Sequence, residues 1–125
     1  ADQAHLTERL GTAIIVDARE EPSFTGEKKL DFVPKPGHIR GAVNLPSNQI
    51  FTEKGTFKSL NELAAMATPV VGSDKNGEII VYCDSGRVAS GWWFILHEAL
   101  GYRNVRLYDG SAQDWSADPA GPLEP

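Results

Sequence analysis

Cys83 is the only cysteine in the chain, and it opens the run Cys83-Asp84-Ser85-Gly86-Arg87-Val88 between a strand-like and a helix-like stretch. A loop entering a helix directs free backbone N–H groups into a small concavity, and the helix dipole adds partial positive charge. Anions settle in such a place, and a thiol held there is drawn toward thiolate, the form that reacts. Gly86 permits the tight backbone path, and Arg87 adds a full positive charge. Asp84 would oppose a thiolate if it turned inward, and is expected to face solvent. The plainer alternative is a buried structural cysteine, because free cysteines are among the most buried residues.

Other cysteine chemistries fit the spacing poorly. A phosphatase loop needs Cys-x5-Arg, and the arginine's place is taken here by Ala89. A dithiol oxidoreductase needs Cys-x-x-Cys, and Gly86 stands where the second cysteine belongs. His5, His38 and His97 are too scattered to suggest a zinc site, and the reading as a whole calls for no metal or organic cofactor. Asp17 and Arg19 close a strand pattern and read as a structural ion pair rather than catalytic groups. His38, inside the turn Gly37 to Gly41, reads as a ring that satisfies backbone groups rather than as a general base. His5 and His97 read as bystanders, and Trp92, Trp93 and Trp115 as packing.

These residues need elements to position them. Ile79-Ile80-Val81-Tyr82 follows the turn pair Asn76-Gly77 and reads as a buried strand that ends at Cys83. Ala89 to Leu100 gives three helical turns, with Trp92, Leu96, Ala99 and Leu100 on one face. A second strand, Ala13 to Val16, delivers Asp17-Ala18-Arg19. Asp2 can cap a helix from Gln3 to Leu10, and Glu20 to Gly37 is a Pro-, Gly- and charge-rich surface excursion. A short strand, Ala42 to Leu45, stops at Pro46. The pattern continues with a helix from Leu60 to Met66, a strand from Asn104 to Tyr108 and a last turn from Ser111 to Trp115. A Pro-rich tail runs from Asp118 to Pro125. Alternating strands and helices predict an α/β domain with a mostly parallel sheet covered on both faces. In such sheets ligands bind at the strand C-termini, where Cys83 lies.

The 125 residues suffice for one domain, 1–125, and the 41% apolar and 23% charged fractions are ordinary for a soluble protein. A net charge of −5 with no basic block argues against a nucleic-acid partner. The apolar runs, such as Trp92 to Leu96, are far too short to span a bilayer. A chain that begins at Ala1 rather than Met reads as a mature form or an excised piece of something longer. The compartment, cytoplasm or periplasm, stays open.

Four stretches, IIVDAR, GHIRGAVNLP, EIIVYCDSGRVAS and LGYRNVRLYDGSAQDW, resemble in order and spacing the rhodanese family of sulfurtransferases. The resemblance runs from Ile14 to Trp115 and is greatest to the C-terminal, catalytic domain of multi-domain rhodaneses. It implies a five-stranded parallel sheet with helices on both faces and a six-residue active loop, Cys83 to Val88. It also implies a persulfide on Cys83, which takes a sulfane sulfur from a small anionic donor such as thiosulfate or 3-mercaptopyruvate. A thiol or cyanide is then the acceptor, Asp84, Ser85, Gly86, Arg87 and Val88 bind the donor, and further rhodanese domains belong to the parent chain. The rival implication is a non-catalytic rhodanese-like interaction or sulfur-carrier domain. Such interaction domains commonly lose the cysteine, which is kept here.

Two positions depart from the family pattern. Val88 stands where relatives often have arginine or threonine, and Ser23, before Phe24, stands where an arginine often holds the donor's anionic end. Asp84-Ser85-Gly86 is closer to the neutral Gly-Ser-Gly loop of mercaptopyruvate sulfurtransferases than to the basic Arg-Lys-Gly loop of thiosulfate enzymes. Weak thiosulfate use is therefore expected, with a Michaelis constant that worsens with salt as attraction to Arg87 is screened.

Overall fold

The computed structural model describes residues 2–84, 89–118 and 121–124. In chain order the elements are α1 (Gln3–Arg9), β1 (Ile14–Asp17), α2 (Glu21–Thr25), β2 (His38–Ile39) and β3 (Val43–Asn44). A 3-10 turn (Ser47–Ile50), α3 (Leu60–Val71) and β4 (Ile79–Tyr82) follow. Then come α4 (Ala89–Phe94), a π-helical stretch (Ile95–Ala99), β5 (Val105–Leu107), α5 (Ser111–Ala117) and β6 (Leu123–Glu124).

The main sheet is parallel, in the order β3-β1-β4-β5, so β4 is a central strand paired on both edges. Side chains alternate across it. Val16, Ile79 and Val81 face α3 and α4 in one apolar cluster, which includes Leu63, Ala67, Trp92 and Leu96. Ile15, Ile80 and Tyr82 face α1 and α5 in the other, with Leu6, Tyr108 and Trp115. Burial on both faces is what makes parallel strands read as unbroken apolar runs. The expected α/β class, parallel sheet and helices on both faces are therefore present. Trp92 and Trp115 are fully buried, as packing residues should be.

The expected fifth parallel strand is a correction: among the described residues the main sheet has four. His38–Ile39 pairs instead with Leu123–Glu124 in a small antiparallel sheet, which ties the C-terminal segment over the turn at Gly37. The short α2, with Pro22 in its first turn, lies inside the excursion read as irregular. Proline is tolerated there because first-turn N–H groups have no helical partner. The third helix runs past Met66 to Val71 and contains Pro69, and Ser59 caps its start by accepting from the Glu62 N–H. Asp2 caps α1 as expected, its Oδ1 accepting from the His5 N–H at 2.8 Å. After Phe94 the expected α-helix widens, and the Leu100 N–H donates five residues back, to the Ile95 carbonyl.

Candidate active site

The strand C-termini of β1 and β4 bring Asp17, Arg19, Tyr82, Cys83 and Asp84 together. Asp17 is fully buried and Arg19 is 4% exposed. The Arg19 Nη2 donates to Asp17 Oδ2 at 2.7 Å and to the Gly37 carbonyl at 2.8 Å, while its Nε meets both Asp17 oxygens. The Tyr82 hydroxyl donates to Asp17 Oδ2 at 2.8 Å and accepts from the Ile39 N–H at 3.0 Å. Burial pushes the Tyr82 phenol well above its ordinary range, and the Asp17 charge pushes it further, so it stays a donor. Burial works against the Arg19 charge, but its bonds to Asp17 outweigh that cost and hold it protonated. The pair ties the β1 end to the Gly37 turn.

His38 also has a structural setting. Its Nδ1 lies 2.7 Å from the Phe24 carbonyl, its ring stacks on Phe24 at 3.8 Å, and Nε2 lies 3.4 Å from Glu124. Asp84 departs from expectation. It does not simply face solvent: its side chain is 20% exposed and lies 3.5 Å from Arg19 Nη1. Burial raises its carboxyl above the ordinary 3.8, and the Arg19 charge opposes part of that rise.

Cys83 is 2% exposed and lies with Ala18 and Arg19 at the base of a cavity of about 700 Å³. Glu20, Leu30, Phe32 and Asn48 form its exposed rim, with Ser23 and Ser47 between. The start of the cysteine loop is held from α5. The Ala112 N–H donates to the Cys83 carbonyl and the Gln113 N–H to the Asp84 carbonyl, both at 2.9 Å. The Ser111 hydroxyl accepts from the Cys83 N–H at 3.1 Å and donates to the Tyr108 carbonyl at 2.8 Å. Ser111 does this from a left-handed backbone, φ 54°, the only non-glycine so placed among the described residues. Such strain is retained where surrounding contacts over-determine it, often beside a functional site. Ser111 escaped the sequence reading because its partner is 28 residues away. The expected donor-binding positions Ser85, Gly86, Arg87 and Val88 lie outside the described residues.

No group of three or more His, Cys, Asp or Glu side chains poised to hold a metal occurs among the described residues. A family model described as "Rhodanese-like domain" matches residues 2–118. The chain belongs to that family. A protein of Mycolicibacterium smegmatis named "Putative thiosulfate sulfurtransferase" is 38% identical over 121 residues, covering 92% of this chain and 43% of that protein. The "Sulfur carrier protein TtuD" of Thermus thermophilus is 38% identical over 113 residues, covering 84% of this chain and 39% of that protein. The chain thus spans about two fifths of the length of these curated relatives. Among solved structures, the anaerobic ergothioneine biosynthesis enzyme of Chlorobium limicola superposes with a TM-score of 0.88. It covers 99% of this chain and 31% of that enzyme, and at 23% identity it speaks for the fold alone.

In this rhodanese-like domain the departure at Ser23 gains a location. Ser23 lines the Cys83 cavity and brings a hydroxyl-bearing side chain to it. Among the described residues, no helix is long and apolar enough to cross a membrane.

Proposed function

We propose that this domain is a sulfurtransferase that carries a sulfane sulfur on Cys83. The observation that supports it is the placement of the chain's one cysteine, at the base of a cavity beyond the end of a central parallel strand. In the first half-reaction the Cys83 thiolate attacks the donor's outer sulfur. A new S–S bond forms, the donor's old bond to that sulfur breaks, and the electron pair departs with the leaving group. In the second, an acceptor such as cyanide, a dithiol or a protein cysteine attacks the outer persulfide sulfur and regenerates the thiolate. Backbone N–H groups of Asp84, Ser85, Gly86, Arg87 and Val88 steady the persulfide's negative charge in this reading, and Arg87 draws the donor's anionic end. Asp17, Arg19 and His38 shape the site without touching the sulfur.

The name of the Thermus relative favours a second reading, in which the persulfide is handed only to a partner protein. Both readings share the loading step. Incubation with thiosulfate, 3-mercaptopyruvate or an organic thiosulfonate, followed by intact-mass measurement, is expected to show one added sulfur atom. Dithiothreitol should remove it, and Cys83→Ser should never acquire it. Failure of every donor to add sulfur overturns the function. Loading without release to cyanide or small thiols favours the carrier.

A further inference from the structure

The rim of the Cys83 cavity carries charge and shape that the sulfur chemistry does not itself require. Arg19 is the one cationic side chain among its described lining residues, and it is committed to Asp17, the Gly37 carbonyl and Asp84. Lys28, Lys29 and Lys35 lie on the same excursion, yet none is among the lining residues. Two carboxylates do line the cavity. Asp84 sits beside the cysteine, and the exposed Glu20 is fixed at the rim by the Asn48 side-chain amide, which donates to its Oε1 at 3.3 Å. Among the described residues at this end of the sheet, Asp17, Glu20 and Asp84 contribute three negative charges and Arg19 one positive charge. The rim's other feature is apolar: Leu30 and Phe32 are 48% and 47% exposed, large side chains that face water at the entrance.

We infer that Glu20, together with the apolar lip of Leu30 and Phe32, makes the cavity select sulfane-sulfur donors with an apolar, uncharged or cationic body and turn away compact dianions. A donor of this class uses the lip for its body and presents only its outer sulfur to Cys83. A compact dianion has no surface for the lip and brings both charges past Glu20. The inference rests on Cys83 being the sulfur-accepting group.

Arenethiosulfonates test it with the reaction held constant. The thiolate bonds to the outer sulfur, the sulfur–sulfonyl bond breaks, and its electron pair leaves with the arenesulfinate, so no oxidant or reductant is needed. The donors are benzenethiosulfonate, its para-aminomethyl and para-carboxy derivatives, and thiosulfate. Each initial rate of Cys83 loading, read by intact mass, is divided by that donor's rate with free cysteine. The expected order is aminomethyl, then unsubstituted, then carboxy, with thiosulfate last, and about fivefold per unit of charge. Glu20→Gln should compress the charge series. Phe32→Ser should slow the aromatic donors and leave thiosulfate unchanged. Glu98→Gln, the same charge change at the far end of the helical segment after the loop, should leave the order as in the parent. Loading by all donors in a flat or reversed order overturns the inference while leaving the sulfurtransferase intact. No loading by any donor overturns both.

Discussion

Arg19 keeps its guanidinium for the protein interior, and that decides what the neighbouring carboxylate can do. With Asp17 and the Gly37 carbonyl as hydrogen-bond partners and the Tyr82 ring 5.6 Å away, the charge is compensated where burial would otherwise make it very costly. Asp84 receives only the outer edge of that field, at 3.5 Å, and burial outweighs it, so its carboxyl titrates above the ordinary 3.8. The sign for stability follows from proton counting. The folded state holds this proton more tightly than the unfolded state, so the group's contribution is greatest below the ordinary value. It declines as pH rises through that value toward the raised one. The partial exposure of Asp84 keeps the effect modest. Asp84→Asn lacks the titration, so its unfolding free energy relative to the parent should climb across this window and then level off. Urea unfolding at closely spaced pH values measures it. A falling difference would show that attraction to Arg19 outweighs burial.

At the scale of elements, the cysteine loop depends on α5 as much as on its own strand. The first turn of α5 donates to the carbonyls of Cys83 and Asp84, so displacement of that turn displaces the Cys83 backbone. Gly110, just before α5, is the weak point. Its φ is an ordinary −62°, but a Cβ there would lie 2.6 Å from the Asp114 Cβ and 2.7 Å from its Oδ2, the oxygen that accepts from the Tyr108 hydroxyl. Gly110→Ala should therefore destabilise the domain by about 1–3 kcal/mol, an overpacking cost. It should also slow Cys83 loading, and thermal unfolding alongside intact-mass kinetics checks both. Unchanged stability and loading would mean that α5 gives way without disturbing the loop. None of this was visible in the sequence, because the Ser111–Cys83 and Ala112–Cys83 bonds join segments with no local pattern. The strands β1 and β4 were legible, since burial on two faces writes itself as apolar runs. Cys83 was legible because it is single and stands at a strand end. The pairing of β2 with β6 was not, as two-residue strands carry no period. The expected helix from Leu60 to Met66 runs on to Val71, with Pro69 in its last turn.

At the scale of the whole molecule, a net charge of −5 surrounds a cavity whose rim holds Glu20 and whose interior holds Asp84. Reading the loop alone puts Arg87 foremost and makes salt a screen against attraction. Locating Glu20 at the entrance, with Arg19 already paired, reverses the expected sign for a dianionic donor. At low ionic strength the field extends about 30 Å and repels thiosulfate before it reaches the rim. At physiological salt the range contracts to about 8 Å and the barrier weakens. Loading of Cys83 by thiosulfate should therefore accelerate severalfold between about 10 and about 150 mM salt, while a donor with a cationic body should slow over the same interval. Sodium chloride and potassium acetate should behave alike, because the effect depends on ionic strength and not on a particular anion competing for the cavity. Initial loading rates for both donors at both ionic strengths provide the measurement. Thiosulfate loading that slows with salt would place Arg87, not the acidic rim, in command of the donor's approach.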